Sequence, residues 1–286
     1  MKRLISLCLL AAVLCLNTRA QQAETLFPYP QAPDSCSTLE SRCNYIIQHF
    51  WDNFDITRPL PEQGKFETAF RDYVTFFRYA NRNIVFASIR DFMFKARSNT
   101  NNLVRIGQTA EQALYSPYAE YWSDEVYLQF AKSMAETSTL KKDIRNYYKQ
   151  QIKRIEHNQE GSIITDLEIN LSDGEKTRLL ELQAKGFLIL FSDNSSESSI
   201  ARLRLSTDIN INSLISSGQL AVIQVYLGRP DSDWAAAQPQ NWTNAYSDQA
   251  AKQIDLRMLP CCYLLDGERK ILNKNVDIEQ LKQAIN

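Results

Sequence analysis

The spacing of the apolar residues changes once along this chain, and that change limits the fold more than any other feature. Up to about residue 158 they recur every three or four positions; from residue 163 they alternate or run together. The first pattern builds one face of a helix and the second builds strands. In "CNYIIQHFWDNF", residues 43–54, apolar side chains fall at 43, 46, 47, 50, 51 and 54. Phe66, Ala69, Phe70, Tyr73, Val74 and Phe77 repeat the period. Further helices are expected in "NIVFASIRDFMFKAR", in "SDEVYLQFAKSMAE" with Ser123 as N-cap, and in "TLKKDIRNYYKQQIKRIEHN" through Leu140, Ile144, Tyr147, Tyr148, Ile152 and Ile155. Residues 36–158 therefore read as an all-helical domain whose aromatic stripes are core packing.

Past "NQEGS" the residues Ile163, Thr165, Leu167, Ile169 and Leu171 alternate, "SDGE" supplies a hairpin turn, and "KTRLLEL" returns. "GFLILFS" is an unbroken apolar run, as in a strand covered on both faces. A helix follows, then "QLAVIQVYLG" as a second buried strand and a helical insert beginning at "SDWAAAQPQ". "LPCCYLLDGERKILNKN" reads as strand, Asp-Gly turn, strand, and "DIEQLKQAIN" as a closing helix capped by Asp277. Helices between buried strands require a mixed sheet with helices on both sides, so residues 163–286 form an α/β domain after the helical one.

The first twenty residues stand apart. Lys2 and Arg3 precede an apolar run over residues 4–16, and Thr18 and Ala20 precede a cleavage point at Gln21. This is the three-part pattern of a secretory signal, too short for a comfortable membrane span. The expectation is export with cleavage, to the periplasm, cell envelope or exterior; a retained or lipid anchor is the alternative, although neither Cys8 nor Cys15 follows a small residue. Residues 21–35 read as linker, and no later segment is apolar and long enough to span a bilayer. The formal charge is -1; removing Lys2, Arg3 and Arg19 leaves 29 basic residues against 33 acidic, or −4. Nucleic acid is thereby excluded as a general partner, since phosphate affinity needs clustered Lys and Arg.

Four cysteines remain after the signal: Cys36, Cys43, Cys261 and Cys262. An exported chain can pair them in three ways or keep them as buried thiols. Cys36 and Cys43, if both helical, stand about 10 Å apart by helical rise, so they bridge only if Cys36 folds back from a loop. His49 and His157 lie in separate helices without metal-ligand spacing, and no cofactor or metal motif is present.

From residue 164 onward the chain resembles the thioredoxin-like domains of TlpA/ResA-type exported proteins. The resemblance rests on the hairpin with "SDG", on "FLILFSD" and "AVIQVYLG", on Trp234, on "NWTNAYS" and on "IDLRMLPCCYLLDGERKIL". The helical half, with "RCNYIIQHFWDNFD" and "YSPYAEYWSDEVYLQFAKSM", resembles a domain without assigned activity that precedes thioredoxin-like domains in exported proteins of Bacteroides-type bacteria. The resemblance implies that Pro260, after Leu259, is the cis-proline of the fold. It also implies that the redox pair, Cys-x-x-Cys after F-S-D-P-x, would fall on Ser196 and Ser199, or on Ser195 and Ser198 one residue earlier.

Serine cannot replace cysteine there. Disulfide exchange needs a thiolate, and a hydroxyl neither ionises at that site nor forms a mixed disulfide. Two functions are therefore expected as alternatives. One is a non-catalytic thioredoxin-fold protein binding a polypeptide or envelope partner at the groove around Ser196, Ser199, Leu259 and Pro260, with Trp234 and Trp242 as rim or core aromatics. The other is a thiol-disulfide oxidoreductase or isomerase working through Cys261 or Cys262, of which at most one can face the groove.

Overall fold

The computed structural model describes residues 25–61, 64–231, 234 and 238–285. The signal at 1–20 and the first residues of the linker lie outside the described residues. By packing, the chain divides into two units. One runs through Leu114 and takes up Glu120–Ser133; the other joins Tyr115–Ala119 to everything from Met134 onward.

The first unit is helical: α1 (Leu39–His49), α2 (Lys65–Thr75), a short 3-10 turn at Phe77–Tyr79, α3 (Arg82–Ala96), α4 (Thr100–Leu114) and most of α5 (Asp124–Glu136). Thr38 and Ser41 form a reciprocal cap on α1. The helix stops at His49, earlier than the period suggests, and Phe50, Trp51 and Phe54 keep the apolar rhythm from a turn that still points into the core. There Trp51 stacks on Phe92 at 4.5 Å between ring centres, and Phe50 and Tyr73 close around it. Residues 25–35, read as linker, are tied down: Phe27 is buried edge-on to Phe50, and the Tyr29 hydroxyl donates to Asp72 at 2.8 Å. α4 is a helix that the apolar period does not single out, opening on Thr-Asn-Asn with Gly107 inside it. Buried Asn102 explains the polar start, because its amide donates to the carbonyls of Ile56 and Arg58 (2.7 and 2.6 Å) and pins the loop ahead of α2. Cys36 and Cys43 are both free thiols, so the bridge between them is not made.

The second unit holds α6 (Lys142–His157) and a seven-stranded sheet of order β2-β1-β5-β4-β3-β6-β7. The strands are β1 (Glu168–Leu171), β2 (Lys176–Arg178), β3 (Gly186–Ser192), β4 (Ala221–Leu227), β5 (Thr243–Ser247), β6 (Cys261–Asp266) and β7 (Ile271–Val276). β3, β4 and β5 are parallel neighbours, and the remaining pairings are antiparallel. The change of spacing at 158–163 marks a change of secondary structure, whereas the packing divides earlier: α6 belongs with the sheet. Asn158 and Arg154 donate to the carbonyls of Gln253 and Ala251.

Two helices, α7 (Ser196–Ser206) and α8 (Ile209–Ser216), fill the β3–β4 crossover where the sequence suggests one. Asp208 accepts from Asn210 and Ile211 N–H groups and starts the second. α9 (Ala250–Gln253) and α10 (Ile278–Ile285) complete the unit, with Asp277 accepting from Gln280 N–H as expected of a cap. Alternation along each strand gives the sheet two buried faces. Phe187, Ile189, Phe191, Ile223, Val225, Cys261 and Tyr263 fill one. Leu188, Leu190, Val222, Trp242 and Cys262 fill the other, under α7, α8 and α10. The helical insert read at "SDWAAAQPQ" lies largely outside the described residues.

Candidate functional site

β3 ends at Ser192 and α7 begins four residues later, forming a strand-to-helix elbow at the carboxyl end of a parallel strand, where open α/β sheets place their ligands. Ser195 is the N-cap, its hydroxyl accepting the Ser198 N–H at 3.1 Å. Both hydroxyls point their protons at one carboxylate. Ser195 Oγ and Ser198 Oγ donate to Asp193 Oδ1, Ser198 at 2.7 Å, and the Asp193 N–H returns a bond to Ser198 Oγ at 3.1 Å. Partial burial pushes the Asp193 carboxyl up, but the hydrogen bonds from the two serines outweigh it and hold it below the usual carboxylate range. The knot is closed: its donors are spent on an anion, and a carboxylate held ionised in this way is a poor base for a hydroxyl.

Ser196 and Ser199, the first choice for the positions of a redox pair, are exposed on the first turn, with Ser196 Oγ donating to Glu197. Ser195 and Ser198, the neighbouring frame, are the serines that interlock, and Ser198 is buried. Sequence alone does not fix a helix start to one residue.

Phe191 pairs with Cys261, so the residues before β6 lie at the same end of the sheet as the elbow. The Leu259–Pro260 peptide there is cis, and Leu259 packs partly against the first sheet face. Cys261 and Cys262 are each only 1% exposed and enter opposite faces of the sheet. Burial pushes the Cys261 thiol well above its usual range, with Cys262 and Asp255 adding to the effect. Burial likewise lifts Cys262 to about 12. Neither thiol is exposed at that end of the sheet. Trp234 and Trp242 are buried as well, the first edge-on to Tyr226 and the second in the core of the second face, so neither forms a rim.

A buried ionic clamp holds the loop before Pro260. Asp255, fully buried, accepts from the Tyr115 hydroxyl (2.6 Å), Lys274 Nζ (2.5 Å) and Arg257 Nη2 (3.4 Å). Its backbone carbonyl accepts from Tyr263 Oη and Asn275 Nδ2, while Asn275 Oδ1 takes the Arg257 N–H. Arg257 also lies over the Tyr115 ring at 4.6 Å. "DLR" and "NKN" are the visible traces of this clamp, but only the β6–β7 pairing brings them together.

Ile200 and Leu203, a helical step apart on α7, are 55% and 62% exposed, and Ile209, beyond the end of α7 that lies away from the elbow, opens α8 at 84%. Met258 stands out from the loop before Pro260. Among the described residues no group of three or more His, Cys, Asp or Glu side chains could hold a metal, and no helix is long and apolar enough to cross a membrane. His49 instead pairs with Asp52 at 2.7 Å on an exposed turn.

The sequence profile of a domain of unknown function, DUF5106, matches residues 15–158, half of the chain. No curated protein matches. Among solved structures, a thioredoxin-like protein from Bacteroides caccae is 21% identical with a TM-score of 0.77, covering 91% of this chain and 98% of that one. The C-terminal domain of an uncharacterized protein from Bacteroides fragilis is 22% identical (TM-score 0.42, 45% of this chain and 98% of that). The thioredoxin domain of a thiol-disulfide oxidoreductase from Bacteroides vulgatus is 18% identical (TM-score 0.37, 45% and 99%). The first likeness extends over both the helical half and the sheet, so the fold is thioredoxin-like with a helical region ahead of it.

Proposed function

The chain belongs to the DUF5106 family, and from that footing we propose that it is a non-catalytic thioredoxin-fold protein that binds a polypeptide or envelope partner at the elbow end of its sheet. One observation carries this reading: the hydroxyls at the elbow are locked onto Asp193, and the thiols at that end of the sheet are buried in opposite faces. Exchange chemistry needs an accessible sulfur of lowered pKa, and neither Cys261 nor Cys262 meets that requirement. The exposed Ile200 and Leu203 on the helix that starts at the elbow, and Met258 before Pro260, give a partner something to bury, at a place where a thioredoxin-like groove accepts extended chains. The signal pattern at residues 1–20 supports export to the periplasm, envelope or exterior, and N-terminal sequencing of the native protein checks it by a start at Gln21.

A photo-crosslinker at Ile200, in the full chain expressed in its own host, tests the binding surface. Discrete polypeptide adducts are expected there and not from the same group at Lys149 on α6. Identical adduct patterns at the two positions would remove the elbow as the docking site.

A further inference from the structure

α6 concentrates positive charge that the near balance of the whole chain conceals. Residues 141–157 hold six basic residues against two acidic, whereas the rest of the chain after residue 20 holds 23 against 31. Lys142, Arg145, Lys149 and Lys153 follow one another by 3, 4 and 4 residues, which sets them in one row along the helix, about 16 Å long by helical rise. The three lysines are exposed and Arg145 is half-buried. Of the two acids, Asp143 lies two residues from Arg145 and so off the row, and Glu156 closes it three residues past Lys153.

The row does nothing for its own helix. Lys141, the N-cap, makes no side-chain cap, and with Lys142 it puts two cations at the positive end of the helix dipole. Arg145, Lys149 and Lys153 repel one another at successive i, i+4 steps. Other exposed cations meet carboxylates, as Lys95 does at Asp91, Arg58 at Asp55 and Lys176 at Glu168. Among the described residues no carboxylate forms an ion pair with Lys142, Lys149 or Lys153. Charges placed against local preference and left uncompensated are what a functional surface carries.

The character of the row selects its partner. Protein interfaces are anchored by aromatic or apolar side chains buried at their centre. Here the exposed residues beside the row are Asn146 and Gln150, while Tyr147 lies on the opposite side of the helix, engaged by Tyr148 and Gln151. Long, mobile lysines in a straight line match a fluid plane of anionic headgroups, where each basic residue adds about fivefold to binding. We propose that the row from Lys142 to Lys153 on α6 is a docking surface for an anionic lipid membrane, independent of the elbow.

Sedimentation of the purified full chain with lipid vesicles tests the surface. Binding to mixed phosphatidylglycerol and phosphatidylcholine vesicles is expected at about 0.1 M salt and is expected to be lost at about 1 M, where the screening length falls to about 3 Å. Pure phosphatidylcholine vesicles give the background, including any contribution of the apolar run at residues 4–16. The Lys142→Gln/Lys149→Gln/Lys153→Gln variant is expected to bind the anionic vesicles about a hundredfold more weakly. It should unfold in urea no earlier than the native chain, because the helix is relieved of repulsion. The variant with arginine at the same three positions should keep the binding. Native chain that does not exceed background, or undiminished binding by the glutamine variant, would overturn the proposal. Tighter binding to duplex DNA than to the vesicles at the same salt would overturn the assignment to lipid.

Discussion

Asp193 decides what the elbow can be. A cysteine pair at a helix N-terminus would draw on the backbone N–H groups to hold a thiolate; here the Ser198 N–H meets the Ser195 hydroxyl, the Ser195 N–H meets Asp193 Oδ1, and the negative charge already sits on that carboxylate. Replacing Asp193 with Ala strands the Ser195 and Ser198 hydroxyls and is expected to cost about 1–3 kcal/mol in urea unfolding at neutral pH. The pH dependence follows from its lowered folded pKa. The contribution is complete above the unfolded value near ~4 and fades as pH falls through the folded one, so the gap between native and variant proteins should close in acid. A gap constant with pH would mean that the carboxylate is not what the serines hold. That the elbow carries serines and no cysteine was legible in "SESS". Which of them interlock was not, because the frame depends on where the helix starts.

At the level of elements, the unbroken runs of β3 and β4 and the β1–β2 turn announce themselves through composition, and α1–α3, α5 and α6 through their period. β5 does not: "TNAYS" has the makeup of a turn and becomes a strand only because β4 and β1 supply partners on either side. α4 hides behind Asn102 and Gly107 for the same kind of reason, since tertiary contacts override local preference. The clamp on Asp255 is the least legible, being assembled from four places in the sequence. Its removal should be severe. Asp255→Ala leaves Lys274 and Arg257 buried without their carboxylate, and a loss of about 3–5 kcal/mol is expected by chemical denaturation. A loss under about 1 kcal/mol would show that the two cations rearrange to solvent.

On the scale of the whole molecule, the chain is a helical unit and a thioredoxin-like unit, and under the proposed function the surface near the elbow, and not a reactive atom, is what a partner would meet. Ile200→Ser and Leu203→Ser should therefore leave stability within about 0.5 kcal/mol while weakening partner crosslinking, because both side chains are already in solvent. Native protein treated with a maleimide should label slowly at Cys261 and Cys262 and quickly only after unfolding; fast native labelling of either would reopen the thiol reading. The most direct measurement is catalytic reduction of insulin by the purified, pre-reduced full chain. No turnover above the dithiol background is expected. Turnover that Cys261→Ala or Cys262→Ala abolishes would contradict it.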